Sequence, residues 1–235
     1  MKKVLVIIPA YNEADNILNV VSKVKEYKGI DYIIVNDGSK DETAKVCNEN
    51  HLNYINYPVN LGLTGAFRGG MRYAYYNDYD YAIQFDGDGQ HNPEYIIPMM
   101  EYAEKKNLDI VIGSRFVSKP KNKSMRMLGS NLIEGCIRMV TGQRIKDPTS
   151  GMRLYRKNII KVFATEMNYG PEPDTIAFLI RNRAKVEEYQ VHMNERLAGE
   201  SYLTLSSSVK YMLYICCSIL VVQWFRKKVD LCQFI

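Results

Sequence analysis

The sequence predicts an α/β fold, a mostly parallel β-sheet flanked by helices, ending in an apolar C-terminal helix. Three observations carry that prediction. Strand-length runs of β-branched and aromatic residues alternate with helical spacings of apolar residues through the first half of the chain. The early strands end in turn residues bearing polar side chains, and βαβ alternation calls for a parallel sheet covered on both faces. The chain has 235 residues, 46% hydrophobic and 24% charged, which suits one domain of the larger kind or one domain plus an appendage.

The elements follow in order. Lys3 to Ile8 is a strand that stops at Pro9; it starts so soon after Met1 that no signal peptide is expected. Glu13 to Tyr27 places Ile17, Val20, Val21 and Val24 at helical spacing, with Asn12 as the expected cap. Tyr32 to Val35 reads as a strand, Asp41 to Asn50 as a helix, Asn53 to Tyr57 as a strand and Gly65 to Asn77 as a helix. Tyr81 to Phe85 is the next strand, Pro93 to Lys106 a helix and Asp109 to Ile112 a strand. Beyond Gly113 the alternation weakens. A polar loop at Ser118 to Lys123 precedes a helix from Met125 to Thr141, and a loop at Asp147 to Gly151 leads into a short strand through Leu154 and Tyr155. Pro171 to Arg183 reads as helical and Lys185 to Val191 as a strand of alternating polarity.

The tail differs in kind. From Tyr211 to Phe225 only Ser218 and Gln223 interrupt an apolar run, and Arg226-Lys227-Lys228 follows it. A helix of that length spans about 22 Å, short of the roughly 30 Å hydrocarbon core. An interfacial or partner-docking helix is therefore expected, with a buried core helix as the plainer alternative; Trp224 and the basic cluster resemble interface anchors. The expected division is a catalytic domain over 1–202 and a membrane-associated or partner-docking tail over 203–235.

Composition narrows the partners. The five cysteines, Cys47, Cys136, Cys216, Cys217 and Cys232, form no metal-like spacing and read as reduced thiols. The net charge is +5, yet between Gly113 and Lys161 about twelve Lys or Arg face only Glu134 and Asp147. A polyanionic partner is expected there. Nucleic acid is not, because no nucleic-acid module or aromatic-interleaved basic motif is present.

The most informative stretch is Tyr81 to Gln90, a buried-type strand that ends in Asp86 and Asp88 with one glycine between them. Strand ends of open α/β sheets are where ligands bind. Two carboxylates this close repel unless a cation sits between them. Turn chemistry is the ordinary alternative. A helix–loop–helix calcium loop is excluded by spacing, since its sixth and twelfth positions would hold His91 and Ile97; an aspartate-nucleophile phosphatase is not excluded locally. Asn92 and Pro93 then open a helix, placing the pair just before its N-terminus. Pro9 to Glu13 and Asn36 to Ser39 end the first two strands at the same sheet edge, where a nucleotide pocket is expected.

With these residues in place the sequence resembles a family 2 glycosyltransferase of the GT-A fold. The resemblance rests on Pro9 to Glu13, Asp37 to Ser39, Asn60-Leu61-Gly62 with Gly65, and Asp86 to His91. Gly113 to Phe116, Asp147 to Arg153 and Arg196 to Ser201 resemble the polyprenyl-phosphate branch, of the dolichol-phosphate mannosyltransferase type. The ordered series disfavours the phosphatase, and no G-x-G-x-x-G turn follows the first strand as a dinucleotide dehydrogenase requires.

The resemblance implies roles. Pro9, Tyr11, Glu13 and Asp37 would hold the nucleoside of a UDP- or GDP-linked sugar, with Gly65, Gln90 and Ser201 completing the donor motifs. Asp86 and Asp88 would bind Mg²⁺ or Mn²⁺ at the diphosphate, Asp88 as the direct ligand. Arg115 and Arg196 would contact phosphates; Arg126 and Arg153 are lesser candidates that would face lipid headgroups. Asp147 is the candidate base or acceptor-orienting carboxylate, with Glu172 and Asp174 as alternatives. Asn36 stands where the family commonly has aspartate, and the tail has one short apolar run where some lipid-linked members carry transmembrane pairs. The expected activity is inverting, metal-dependent transfer of a sugar to polyprenyl phosphate by a cytoplasmic protein peripheral on the inner membrane face. A small membrane protein or a second copy is a candidate partner. The alternatives are a glycan acceptor and a non-catalytic nucleotide-binding subunit.

Overall fold

The structure is a computed structural model that describes residues 2–87, 89–121, 125–193, 205–229 and 231. A seven-stranded sheet organises the chain. Its first strand, β1 (Val4–Ala10), is apolar at every position because both faces are covered. Val4, Val6, Ile8 and Ala10 point into one apolar cluster, and Leu5 and Ile7 into the other.

Helix α1 (Ile17–Lys25) returns the chain to β2 (Ile30–Asn36), which pairs parallel with β1 from Val4↔Ile30 to Ala10↔Asn36. Helix α2 (Thr43–Glu49), β3 (Tyr54–Asn56) and α3 (Gly62–Tyr76) complete that side. Strand β4 (Tyr81–Gln84) then pairs with β1 on its opposite edge, parallel and from Val4↔Tyr81 to Ile7↔Gln84. The order of connection therefore reverses across the β1–β4 gap, the switch point where doubly wound sheets open a crevice at their carboxyl ends.

Helix α3 fixes that gap in place. Gly70 lies so close to β1 that a Cβ there would sit 2.2 Å from Ile7 Cγ2. Gly70→Ala is therefore expected to overpack the helix–sheet contact and lower stability by about 1–3 kcal/mol in chemical denaturation; an unchanged midpoint would show that α3 is free to lift.

The second half of the sheet differs from simple βαβ repetition. Helix α4 (Ile96–Lys106) leads to β5 (Ile110–Ser114), but β5 does not pair with β4. Between them lies β6 (Arg153–Arg156), antiparallel to both. It enters after α5 (Met125–Thr141) and the Asp147–Gly151 loop, which turn the chain back across the sheet. Helix α6 (Lys157–Thr165), for which the sequence reading assigned no element, packs under α3; α7 (Pro173–Arg181) and the edge strand β7 (Val186–Gln190) follow.

The tail forms α8 (Leu205–Leu220) and a 3-10 turn at Val222–Phe225. One side of α8 joins the core through Ile215 and Ile219, as do Val229 and Leu231 after it. Met212 lies over Gly129 of α5, with Sδ only 1.6 Å from where a Cβ would stand, so the helices meet at a residue without a side chain. The other side of α8 stays exposed, including Leu213 and Tyr214. No helix among the described residues is long and apolar enough to cross a membrane.

Candidate active site

The crevice at the β1–β4 switch point is built from strand ends. Pro9 to Glu13 leaves β1 with Asn12 at φ 57°, and hydrogen bonds tie it to the loop after β2. Asn12 N–H donates to Ser39 Oγ (2.9 Å), Lys40 N–H to Asn12 Oδ1 (2.9 Å) and Glu13 N–H to Thr43 Oγ1 (2.9 Å). Asp41 supports the same loop: burial would raise its pKa, but hydrogen bonds from Thr43 and Ala14 hold it below the usual carboxylate value. Tyr11 and Glu13 are half-buried, and Glu13 Oε2 accepts from Asn16 Nδ2 at 2.8 Å.

Asp37 closes the β2 side. It is buried, its N–H donates to Ala10 O (2.9 Å) and its Oδ1 accepts from Leu61 N–H (2.8 Å), anchoring the entry to α3. Gly38 makes this approach available, with φ +64° and a would-be Cβ 2.5 Å from Val59 C. Gly65 sits in the first turn of α3 against Leu61, and its carbonyl accepts from Tyr57 Oη at 3.4 Å. Burial, and then the Asp37 charge, push the Tyr57 phenol up.

Asp86 faces this wall from β4. Its side chain is 37% exposed, enough to meet a ligand. Gly87 lies against Pro9 O and Glu13 Cγ, where a Cβ would be 3.2 and 3.4 Å away. On the other side, a Cβ at Gly151 would fall 2.5 Å from Asp86 Oδ2. The Asp147–Gly151 loop therefore forms the far wall. Gln90 is half-buried in the turn that follows. Asp88, Arg196 and Ser201 lie outside the described residues.

Asp147 and Arg115 form the second focus, 32 positions apart in sequence. Arg115 Nε and Nη2 donate to the two carboxylate oxygens of Asp147 at 2.8 and 2.7 Å, and Arg115 N–H adds a bond to Oδ2 at 3.0 Å. The hydrogen bond to Asp147 raises the Arg115 pKa, keeping the guanidinium charged. Asp147 is completely buried while the Arg115 side chain is 27% exposed. A general base needs a free oxygen within reach of its proton. Both Asp147 oxygens are engaged here, so the base expected from the sequence has the geometry of a carboxylate that aims an arginine.

Two further expectations are corrected. Arg153 does not face headgroups: it is buried and donates to the carbonyls of Ser150 (2.9 Å), Pro148 (2.7 Å) and Pro171. Asp174 accepts from Ser218 Oγ (2.6 Å) and from Arg226, and Glu172 accepts from Tyr211 Oη. Neither is offered to a reacting group; both fasten the tail. The basic middle segment is also partly self-neutralised, with Lys121 and Arg144 on Glu134, Arg156 near Glu104 and Lys157 on Asp78. The side chain of Arg126 lies outside the described residues.

The sequence reading missed residues that orient the site. Gln84 is buried beside Asp86, with Nε2 3.4 Å from Oδ1 and Oε1 lacking a hydrogen-bond partner among the described residues. A polar residue inside an apolar strand was the available signal. His91 accepts the Asp86 N–H at Nδ1 (3.0 Å) and packs edge-on to Phe85. Glu188 of β7 accepts the N–H groups of Lys146 (2.8 Å) and Asp147 (2.7 Å), holding the loop from behind. Nothing in sequence links it to that loop.

Comparisons with known proteins agree with this architecture. Residues 5–163 match the family model described as Glycosyl transferase family 2. The chain is 32% identical over 189 residues to the UDP-N-acetylglucosamine–dolichyl-phosphate N-acetylglucosaminyltransferase of Methanococcus voltae, covering 71% of this chain and 74% of that one. It is 26% identical to the undecaprenyl-phosphate mannosyltransferase of Micrococcus luteus, covering 86% of this chain and 88% of the relative. Among solved structures, glucosyl-3-phosphoglycerate synthase from Mycobacterium tuberculosis in complex with Mn²⁺ and uridine-diphosphate-glucose superposes with a TM-score of 0.67 at 15% identity, over 93% of this chain and 79% of that one. The fold is thus the GT-A type, a mixed sheet flanked by helices. The chain belongs to glycosyl transferase family 2 and is a glycosyltransferase.

Proposed function

We propose that this enzyme moves a sugar from a nucleotide-sugar donor to a polyprenyl phosphate, with inversion, at the cytoplasmic face of the membrane. The observation that carries the reading is the shared loop: Asp147–Gly151 holds Arg115 at one end and abuts Asp86 at the other. In this reading one loop carries contacts to both a phosphate-binding arginine and a diphosphate-side carboxylate. The names of the Methanococcus and Micrococcus relatives, both acting on a polyprenyl-type phosphate, support the acceptor class. In this reading 1–202 is the catalytic unit and 203–235 the attachment.

The donor set around Asp86 fits a hard divalent cation such as Mg²⁺ or Mn²⁺. It offers oxygen from Asp86, the buried unpartnered Oε1 of Gln84 and, by spacing, Asp88. When bound, the cation would offset charge on the departing nucleoside diphosphate. His91 keeps the Asp86 backbone in place by accepting its N–H at Nδ1, which in the neutral ring puts the proton on Nε2, 3.5 Å from Asp86 Oδ2.

The chain's own residues supply positioning. Asp37 and the Pro9–Glu13 segment line the nucleoside side. Arg115, aimed by Asp147, holds the acceptor phosphate. That phosphate is already ionised near neutral pH, so its oxygen attacks the anomeric carbon without a base. The bond from that carbon to the donor β-phosphate oxygen breaks, and its electron pair leaves with the nucleoside diphosphate.

The test is transfer of label from a panel of nucleotide sugars, with and without Mn²⁺, into organic-extractable polyprenyl phosphate. Metal-dependent label in the organic phase is the expected result. Release of nucleoside diphosphate with label left in water would overturn the lipid acceptor, and no release from any donor would overturn donor use.

A further inference from the structure

A second cationic cleft lies away from the crevice, where the end of α7 meets the tail. Its cavity is about 440 Å³, and Arg181, Arg183, Arg226 and Lys228 line it with Gln223 and Trp224. Arg226 is built into its floor. The side chain is 8% exposed, donates to Asp174 and to Ser218 Oγ (3.2 Å), and stacks 4.0 Å from the Tyr169 ring centroid. Among the described residues its Nε and Nη1 are buried without a hydrogen-bond partner, as is Oε1 of the buried Gln223. Arg181 lies 3.4 Å over the Trp224 ring. Neither Arg183 nor Lys228 has a salt bridge among the described residues. The C-terminus of α7 favours some positive charge, but among the described residues the one carboxylate paired with any of these four cations is Asp174, on Arg226. The surplus calls for an anion.

The surface beside the cleft is apolar. Phe225 is 86% exposed and Trp224 57%, and Val221 and Val222 are exposed as well. An apolar band is exposed on α8, at Leu213 and Tyr214, and on α5, which packs against α8, at Leu128, Leu132 and Met139. Monomeric surfaces seldom expose contiguous apolar area of this kind. Aromatic and aliphatic side chains beside unpaired cations are complementary to an anionic lipid leaflet, with acyl chains on one side and phosphates on the other.

We propose that this cleft takes the phosphate of an anionic phospholipid headgroup and seats the α5–α8 band on the lipid surface. This deepens the membrane part of the proposed function and is independent of sugar transfer. The test is co-sedimentation of the full chain with phosphatidylglycerol/phosphatidylcholine vesicles and with pure phosphatidylcholine vesicles. Binding is expected to the anionic vesicles, to weaken with salt, and to fall roughly tenfold or more in Arg183→Glu/Lys228→Glu, at about 1 kcal/mol per cation. Phe225→Ser should weaken it separately, while nucleotide affinity and unfolding midpoint stay at the parent values in both variants. Equal binding of parent and charge-reversed variant would overturn the proposal. So would equal affinity for both vesicle types, saturation by millimolar inorganic phosphate with no vesicle binding, or a solution dimer that Phe225→Ser dissociates while vesicles are ignored. Failure of the transfer assay leaves each of these readouts intact.

Discussion

Asp86→Asn should lower turnover roughly a thousandfold or more, about 4 kcal/mol at 1.36 kcal/mol per decade, with little change in stability. The asymmetry follows from what Asp86 touches. Its carboxylate is 37% exposed and, among the described residues, its polar partners are Gln84 at 3.4 Å and the His91 ring at 3.5 Å, so folding gains little from it. The Asp86 N–H bond to His91, which shapes the turn, survives the substitution. The negative charge is what the proposed cation requires, and asparagine removes it while keeping the shape. Asp88→Ala, on the other carboxylate of the pair, should lose turnover equally. The checks are the transfer assay across Mn²⁺ concentrations and circular dichroism with thermal unfolding. A folded, fully active Asp86→Asn protein with metal present would remove Asp86 from the donor site.

The local part of this site was legible because its signals are local. A buried strand must be apolar and must stop, and Asp86 stands where β4 stops; the same logic exposed Pro9 to Glu13 and Asn36 to Ser39. What was illegible depends on distant pairing. The four-residue β6 carries no mark of direction, and its antiparallel insertion between β4 and β5 is decided by the loop that returns the chain. Helix α6 does carry a one-sided stripe, with Lys157, Lys161 and Thr165 outside and Asn158 to Ile160 and Val162 to Ala164 buried, but at nine residues directly after β6 it is short for a helical period to stand out. Arg153 was misread because arginine is seldom buried; here three carbonyls replace the water it gives up. The apolar run of the tail, with Trp224 and the basic cluster at its end, predicts an interface helix, with a buried core helix as the alternative. In the structure that run is divided, Ile215 and Ile219 inward, Leu213 and Tyr214 outward.

The Arg115–Asp147 pair should separate stability from activity. Removing one partner of a buried pair costs most when the partner left behind stays dry. Asp147 is completely buried and Arg115 is 27% exposed, so the two single substitutions are unequal. Arg115→Met strands the Asp147 carboxylate with only one backbone N–H, at 3.0 Å, among the Arg115 bonds, and should cost about 3–5 kcal/mol. Asp147→Asn leaves an arginine that can turn toward water and should cost less, about 1–3 kcal/mol. The double substitution Arg115→Met/Asp147→Leu removes both charges and should recover much of the loss, because an apolar pair of similar volume replaces a desolvated one. Turnover should not recover with it, since the group proposed to hold the acceptor phosphate is gone. With Asp147→Leu added as the matching single substitution, unfolding free energies of the parent, Arg115→Met, Asp147→Leu and the double variant close a cycle and give the coupling energy, and the transfer assay on the same samples gives the activity. A double variant that regained turnover with stability would make the pair a purely structural tie and leave the acceptor phosphate to another cation.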